Sequence, residues 1–187
     1  MKKYLFQSLL IIIIGSLASP QKLAAQSVPG DSIISMFVKD WERAKAYTDE
    51  YLATMPSSKY SFKAHDSIRS FSQQMLHLAQ TNMFLINKAT DEKPTFGGRN
   101  LEKTMSAQSA DSVKYYVDKS YDFAINSIKK ANPSALFERV SVSMGRVLNE
   151  PRMAWMMKAF EHQTHHRGQT TIYLRLAGMK PPQEKLF

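Results

Sequence analysis

Apolar and small residues recur at alternating steps of three and four over Ile34, Phe37, Trp41, Ala44, Thr48, Tyr51 and Met55, with Lys39, Glu42, Arg43, Lys45 and Glu50 between them. That spacing is one face of an amphipathic helix. Asp31 or Ser32 is expected to cap it and Pro56 to stop it. A second helix is predicted from near Asp66 to about Asn87. Ile68, Phe71, Met75, Leu78 and Leu85 form one stripe and Leu76, Met83 and Phe84 another, nearly opposite, as on a helix wedged between neighbours.

Lys88 to Gln108 has no periodicity and holds Pro94, Gly97 and Gly98, so it reads as a long loop, either a lid over a site or a plain surface excursion. A third helix follows the cap Ser109, with Val113, Tyr116, Val117, Ser120, Phe123, Ala124 and Ile128 inside, and closes at Asn132-Pro133. Ser134 to Asn149 is ambiguous, extended or mixed, with Gly145 as a break. A fourth helix opens at Asn149-Glu150-Pro151 and ends at Gly178, its stripe running through Trp155, Ala159, His162, His166, Gln169, Tyr173 and Ala177. These patterns predict an all-α protein, a four-helix bundle with a long connection between helices 2 and 3.

The N-terminus reads differently. Lys2 and Lys3 precede an uncharged run, Leu5 to Leu17, and Ala24-Ala25 offers a cleavage site before Gln26. Residues 1–25 are therefore expected to be a secretory signal, which leaves 26–187 as one domain, exported to the periplasm or secreted. The apolar run is shorter than the roughly 20 residues of a membrane span, so no stable membrane association is expected after cleavage; an uncleaved anchor is the alternative. Cleavage would remove Lys2, Lys3 and Lys22 and no acid, lowering the formal charge from +9 to +6. The remaining cations are interspersed with acids and form no stripe with aromatics, which argues against a nucleic-acid partner. The chain has no Cys, hence no disulfide framework and no thiol nucleophile of its own.

The candidate chemistry lies in Phe160-Glu161-His162-Gln163-Thr164-His165-His166-Arg167-Gly168-Gln169, which holds three of the five histidines. Residues four apart on a helix lie on one face, with Cβ atoms roughly 6 Å apart. His162 and His166 therefore project together, at positions where a bundle otherwise places Leu or Ile. Buried imidazoles need a partner, and a divalent metal is one. His77, between Leu76 and Leu78, is the candidate third ligand from a facing helix. His65 and His165 are expected to be exposed; His165 rivals His166 in spacing but leans toward the polar side. Glu161 precedes His162, so the His-Glu-x-x-His protease pattern is absent, and no acid joins the set by spacing.

These segments, with Leu174-Arg175-Leu176-Ala177-Gly178-Met179-Lys180-Pro181-Pro182, Met75-Leu76-His77-Leu78-Ala79 and Met55-Pro56 through Phe62, resemble the motifs of the DinB/YfiT-like superfamily. The resemblance spans essentially all of residues 26–187. It implies a four-helix bundle, often a homodimer, in which His77, His162 and His166 bind a divalent metal, usually nickel or zinc. It also implies either transfer of a low-molecular-weight thiol such as bacillithiol to an electrophile or isomerisation of maleylpyruvate. An exported chain lacks a dependable supply of cytosolic thiol, whereas a metal-dependent hydrolase needs only water. The expected partner is a small-molecule substrate of unknown identity. A non-catalytic metal-binding or sensing bundle is the alternative, and a pocket lined by Tyr116, Tyr173 or Trp155 beside the metal would favour catalysis.

Overall fold

The computed structural model describes residues 29–187; the signal-peptide reading falls outside the described residues. Four long helices build the fold: α1 Gly30–Thr54, α2 Phe71–Thr90, α3 Ala110–Lys130 and α4 Arg152–Leu176. One antiparallel hairpin, β1 Arg139–Ser143 and β2 Val147–Pro151, precedes α4. Helix α2 packs against α3 and α4, and α1 packs against the same two from the other side. The chain is thus a four-helix bundle with α1 and α2 on a diagonal, and the long connection runs from Asp91 to Ser109. No helix of the described residues is long and apolar enough to cross a membrane.

The core follows the predicted stripes and adds large side chains to them. Trp41 packs edge-on against Tyr121 and Phe160, with ring centroids 5.6 and 5.7 Å apart. Phe71, Met75, Leu76, Leu78 and Ile86 of α2 are fully buried among its neighbours. Tyr60 is buried edge-on against Phe71, and its hydroxyl donates to the Leu52 carbonyl at 2.9 Å.

Several boundaries differ from the expectation. Helix α1 begins at Gly30 after Pro29, not after Asp31 or Ser32. A Cβ on Gly30 would lie 2.7 Å from Cβ of Pro133, so glycine lets the helix end approach the turn at Pro133–Ala135. Helix α2 begins at Phe71 rather than near Asp66, because Ser70 and Gln73 form a reciprocal capping box. Ile68 therefore lies outside the helix and is 42% exposed. Phe84 leaves the inner stripe for the surface, with the Lys88 ammonium 5.3 Å from its ring centre.

The ambiguous stretch resolves as the hairpin, whose turn places Gly145 at φ 74°, a left-handed conformation that suits glycine. Pro151 ends β2 and flanks α4 instead of lying in its first turn. The free amides of Arg152 and Met153 donate to the carbonyls of Glu138 and Leu136, each at 2.9 Å, so the hairpin base replaces a side-chain cap. Gly178 ends α4 as expected, at φ 82°, and Met179 N–H donates back to Leu174 O at 2.8 Å.

Candidate metal centre

Helix α4 carries polar residues on two buried sides, and so is only weakly amphipathic. One side presents His162 and His166 to α2, which presents His77 from its middle. The structure brings these three histidines together, one nitrogen of each lying within 4.8 Å of the others. Nε2 of His77 and Nε2 of His162 are 3.3 Å apart. The three ring centroids are separated by 4.3 to 5.2 Å. His166 is buried, and His77 and His162 are partly exposed.

Helix α2 also fixes the long connection beside the histidines. Gln73, His77 and Gln80 share one helical face, and each bonds the segment Arg99–Glu102. Gln80 donates to Arg99 O at 2.6 Å and accepts from Leu101 N–H at 2.8 Å. Gln73 donates to Glu102 O at 3.2 Å, and Gln108 donates to the same carbonyl at 2.7 Å. The connection is thus neither a free lid nor a plain excursion. It delivers Glu102 to the site.

The Glu102 carboxylate takes Arg69 Nε on Oε2 at 2.6 Å and faces His77 Nδ1 with Oε1 at 2.7 Å. Burial alone would raise this carboxyl; hydrogen bonds from Arg69 and His77 outweigh it and hold Glu102 below the usual range. Arg69 Nη2 lies 3.3 Å from the same Nδ1, but a guanidinium only donates. Glu102 is the partner that suits an Nδ1–H tautomer, and that tautomer leaves the Nε2 lone pair directed at His162. Tyr173 OH on α4 donates to Arg69 O at 2.7 Å and ties this arm back to the bundle.

His166 has its own anchor, Gln74, whose amide lies 2.8 Å from Nδ1. The contacting atom is the amide nitrogen, which donates to Nδ1; ligation through Nε2 of His166 would require the Gln74 and Gln169 amides to turn over together, placing an oxygen against Nδ1–H. Gln74 also bonds Gln169, which reaches Nε2 of His165 at 2.9 Å. Nδ1 of His162 is buried without a partner. Burial first, then the other imidazoles around them and the Arg69 charge, push His162 down to about 4 and His166 to about 3. Both rings are therefore neutral with lone pairs available near pH 7.

A cation fits this donor set. A tetrahedral ion with metal–nitrogen bonds of about 2.0–2.1 Å holds its ligands roughly 3.3 Å apart, the separation found between His77 and His162. Two of the three rings also have outer partners of the kind found around histidine metal sites, Glu102 for His77 and Gln74 for His166. The three histidines could hold a metal ion; the donor set does not select among zinc, nickel, copper and iron.

His65 and His165 are exposed and outside the cluster, His65 closing a local turn with Ser67. Gln169 is exposed, not on the inner stripe. A cavity of about 730 Å³ reaches the partners of the histidines rather than the rings, with Arg69, Gln74, Glu102, Gln169 and Tyr173 on its lining, and a smaller one of about 360 Å³ is lined by His77, Gln80, Arg99 and Glu102. Tyr173 is the one expected aromatic in the larger cavity. Trp155 is buried under the hairpin, with its indole nitrogen 3.4 Å from Val140 O, and Tyr116 packs on Phe96.

Sequence reasoning missed Glu102 and Arg69. The usable signal was chemical: an imidazole ligand needs an acceptor for its other nitrogen, and the unpatterned stretch 88–108 contains only three acids, Asp91, Glu92 and Glu102.

Comparison with known proteins agrees with this architecture. A solved DinB-like protein from Bacillus cereus superposes with a TM-score of 0.67 at 19% identity, over 81% of this chain and 97% of its own. A conserved protein from Enterococcus faecalis superposes with a TM-score of 0.62 at 14% identity, over 78% of this chain and 98% of its own. At such identities the likeness is one of fold. No curated protein matches the chain. The DinB family model matches residues 27–186, and the chain therefore belongs to the DinB family.

Proposed function

We propose that His77, His162 and His166 are the ligands of a divalent metal ion, nickel or zinc, and that the site is catalytic. The observation that carries the reading is the convergence of three imidazole nitrogens next to a cavity lined by Glu102 and Gln74, the partners of His77 and His166. Three protein ligands on one side of an ion leave room for a further ligand. Bound there, a divalent ion supplies Lewis acidity that lowers the pKa of a water or thiol and so provides a nucleophile near neutral pH.

The chain's own residues do the positioning. Glu102 accepts from His77 Nδ1–H and holds the ring in the ligating tautomer, with Arg69 fixing the carboxylate. Gln74 contacts Nδ1 of His166 through its amide nitrogen and fixes the orientation of that ring. Lys63, Arg69 and Lys103 on the cavity wall, against Asp66 and Glu102, favour a substrate with negative or polar groups.

Hydrolysis is the preferred reaction and thiol S-transfer the second. The expected export signal favours hydrolysis, because water needs no cytosolic supply. Export to the periplasm, removal of residues 1–25 and assembly as a homodimer belong to the same proposal. N-terminal sequencing of protein recovered from the periplasm should begin at Gln26, and light scattering should give twice the chain mass.

Turnover of ester and amide panels, and of thiol–electrophile pairs, by metal-loaded and chelated protein tests the catalytic reading. Hydrolysis that disappears on chelation and returns with metal is expected. Stoichiometric metal uptake with neither turnover would leave a binding or sensing bundle.

A further inference from the structure

An adjoining side of α4, about a quarter-turn round from the histidines, carries a second polar cluster that the metal centre does not use. Gln163, Arg167 and Thr170 face the interior between α1 and α3 and are all buried. Tyr121 OH bonds Thr48 Oγ1 at 2.7 Å and donates to Gln163 Oε1 at 2.8 Å. Arg167 is 6% exposed. Its Nη1 donates to Gln163 Oε1 at 3.0 Å and to Ala44 O at 3.4 Å, and the guanidinium carbon lies 4.5 Å from the Tyr47 ring centre.

All these partners are neutral. Among the described residues no carboxylate pairs with Arg167. A buried cation without an anion is costly unless something completes its environment. Both of these hydrogen bonds engage the same nitrogen and the Tyr121 hydroxyl also lies against the guanidinium, which leaves part of the donor fork for a ligand. That ligand has a place to sit: a cavity of about 460 Å³ reaches Arg167, with the aromatic hydroxyls of Tyr47 and Tyr51 on its wall. Arg175 and Lys180 lie on the same lining, and Glu184 is its one carboxylate. Three cations against one anion leave the lining positive. Burial and the bond to Tyr51 push Tyr47 up to about 12, so its hydroxyl stays protonated.

We propose that this pocket binds the oxyanion group of a small molecule, a carboxylate or a phosphate, on the Arg167 guanidinium, with Arg175 and Lys180 completing the charge. A planar guanidinium matches the paired oxygens of either group. The proposal is independent of the metal centre, since it rests on a separate cavity and on no histidine.

The test titrates the full chain separately with inorganic phosphate and with acetate, at constant ionic strength set with chloride. Binding is read from the thermal midpoint and from the Arg167 Nε–H resonance in nitrogen-15 spectra. A saturable rise in midpoint with one of the two anions, accompanied by movement of that resonance, is expected, and the anion that saturates identifies the group. The double variant Arg175→Gln/Lys180→Gln changes two exposed side chains and should fold, while binding about tenfold more weakly. Arg167→Gln should abolish binding, and the double variant keeps the proposal testable if that chain does not fold. No saturation with either anion would overturn the proposal. So would saturation that leaves Arg167 unmoved and is unchanged in the double variant.

Discussion

Oε1 of Glu102 lies 2.7 Å from Nδ1 of His77, joining a loop residue to a helix residue twenty-five positions earlier in the chain. A carboxylate so placed orients the ring and raises its basicity, and loss of such a partner typically costs 10–100-fold in metal affinity. Glu102→Ala should therefore weaken metal binding by about 10–100-fold. Glu102→Gln, which keeps an acceptor but loses the charge, should fall between it and the wild type. Competition against a chromophoric chelator measures both, and affinities equal to wild type would remove Glu102 from the site.

The metal-free protein should lose stability on mild acidification. Unfolded histidines titrate near 6.5, whereas folded His162 and His166 are pushed down to about 4 and about 3. Between those values the unfolded chain binds protons that the folded chain refuses, so stability falls with falling pH in that window. The groups facing the two rings are His77, His165 and Arg69. Urea midpoints of chelator-treated protein should be lower at pH 5 than at pH 7, and the difference should shrink in His162→Gln/His166→Gln. An unchanged midpoint in the wild type would contradict this.

The capping box at the start of α2 also sets where Arg69 leaves the helix. Ser70 Oγ accepts from Gln73 N–H at 3.3 Å and Gln73 Oε1 from Ser70 N–H at 2.9 Å. Ser70→Ala should cost about 1 kcal/mol of folding stability, measured by urea denaturation. A loss below a few tenths of a kcal/mol would show that tertiary packing alone holds this end.

The helices were legible because Ile34, Trp41, Ala44 and Tyr51, or Val113, Val117, Ala124 and Ile128, bury one face at helical spacing. His77, His162 and His166 were legible for the same reason, as polar residues on apolar faces. Glu102 was not, because a residue that reaches a site through a loop leaves no periodic trace. The hairpin showed only as a broken pattern around Gly145, since most of its residues are exposed or half-buried. The start of α2 was misplaced because Ile68 fits a helical stripe, whereas the hydrogen bonds of Ser70 and Gln73 set the boundary. The Arg167 cluster stayed hidden because its partners come from α1 and α3.

The central claim is that three particular histidines hold the metal, and stoichiometry tests it most directly. Wild type and the five single His→Ala variants would be loaded with zinc or nickel, freed of excess ion and assayed for metal per chain. Wild type, His65→Ala and His165→Ala should retain one equivalent, while His77→Ala, His162→Ala and His166→Ala should retain none. An empty His165→Ala beside a loaded His166→Ala, or a loaded His77→Ala, would contradict the account.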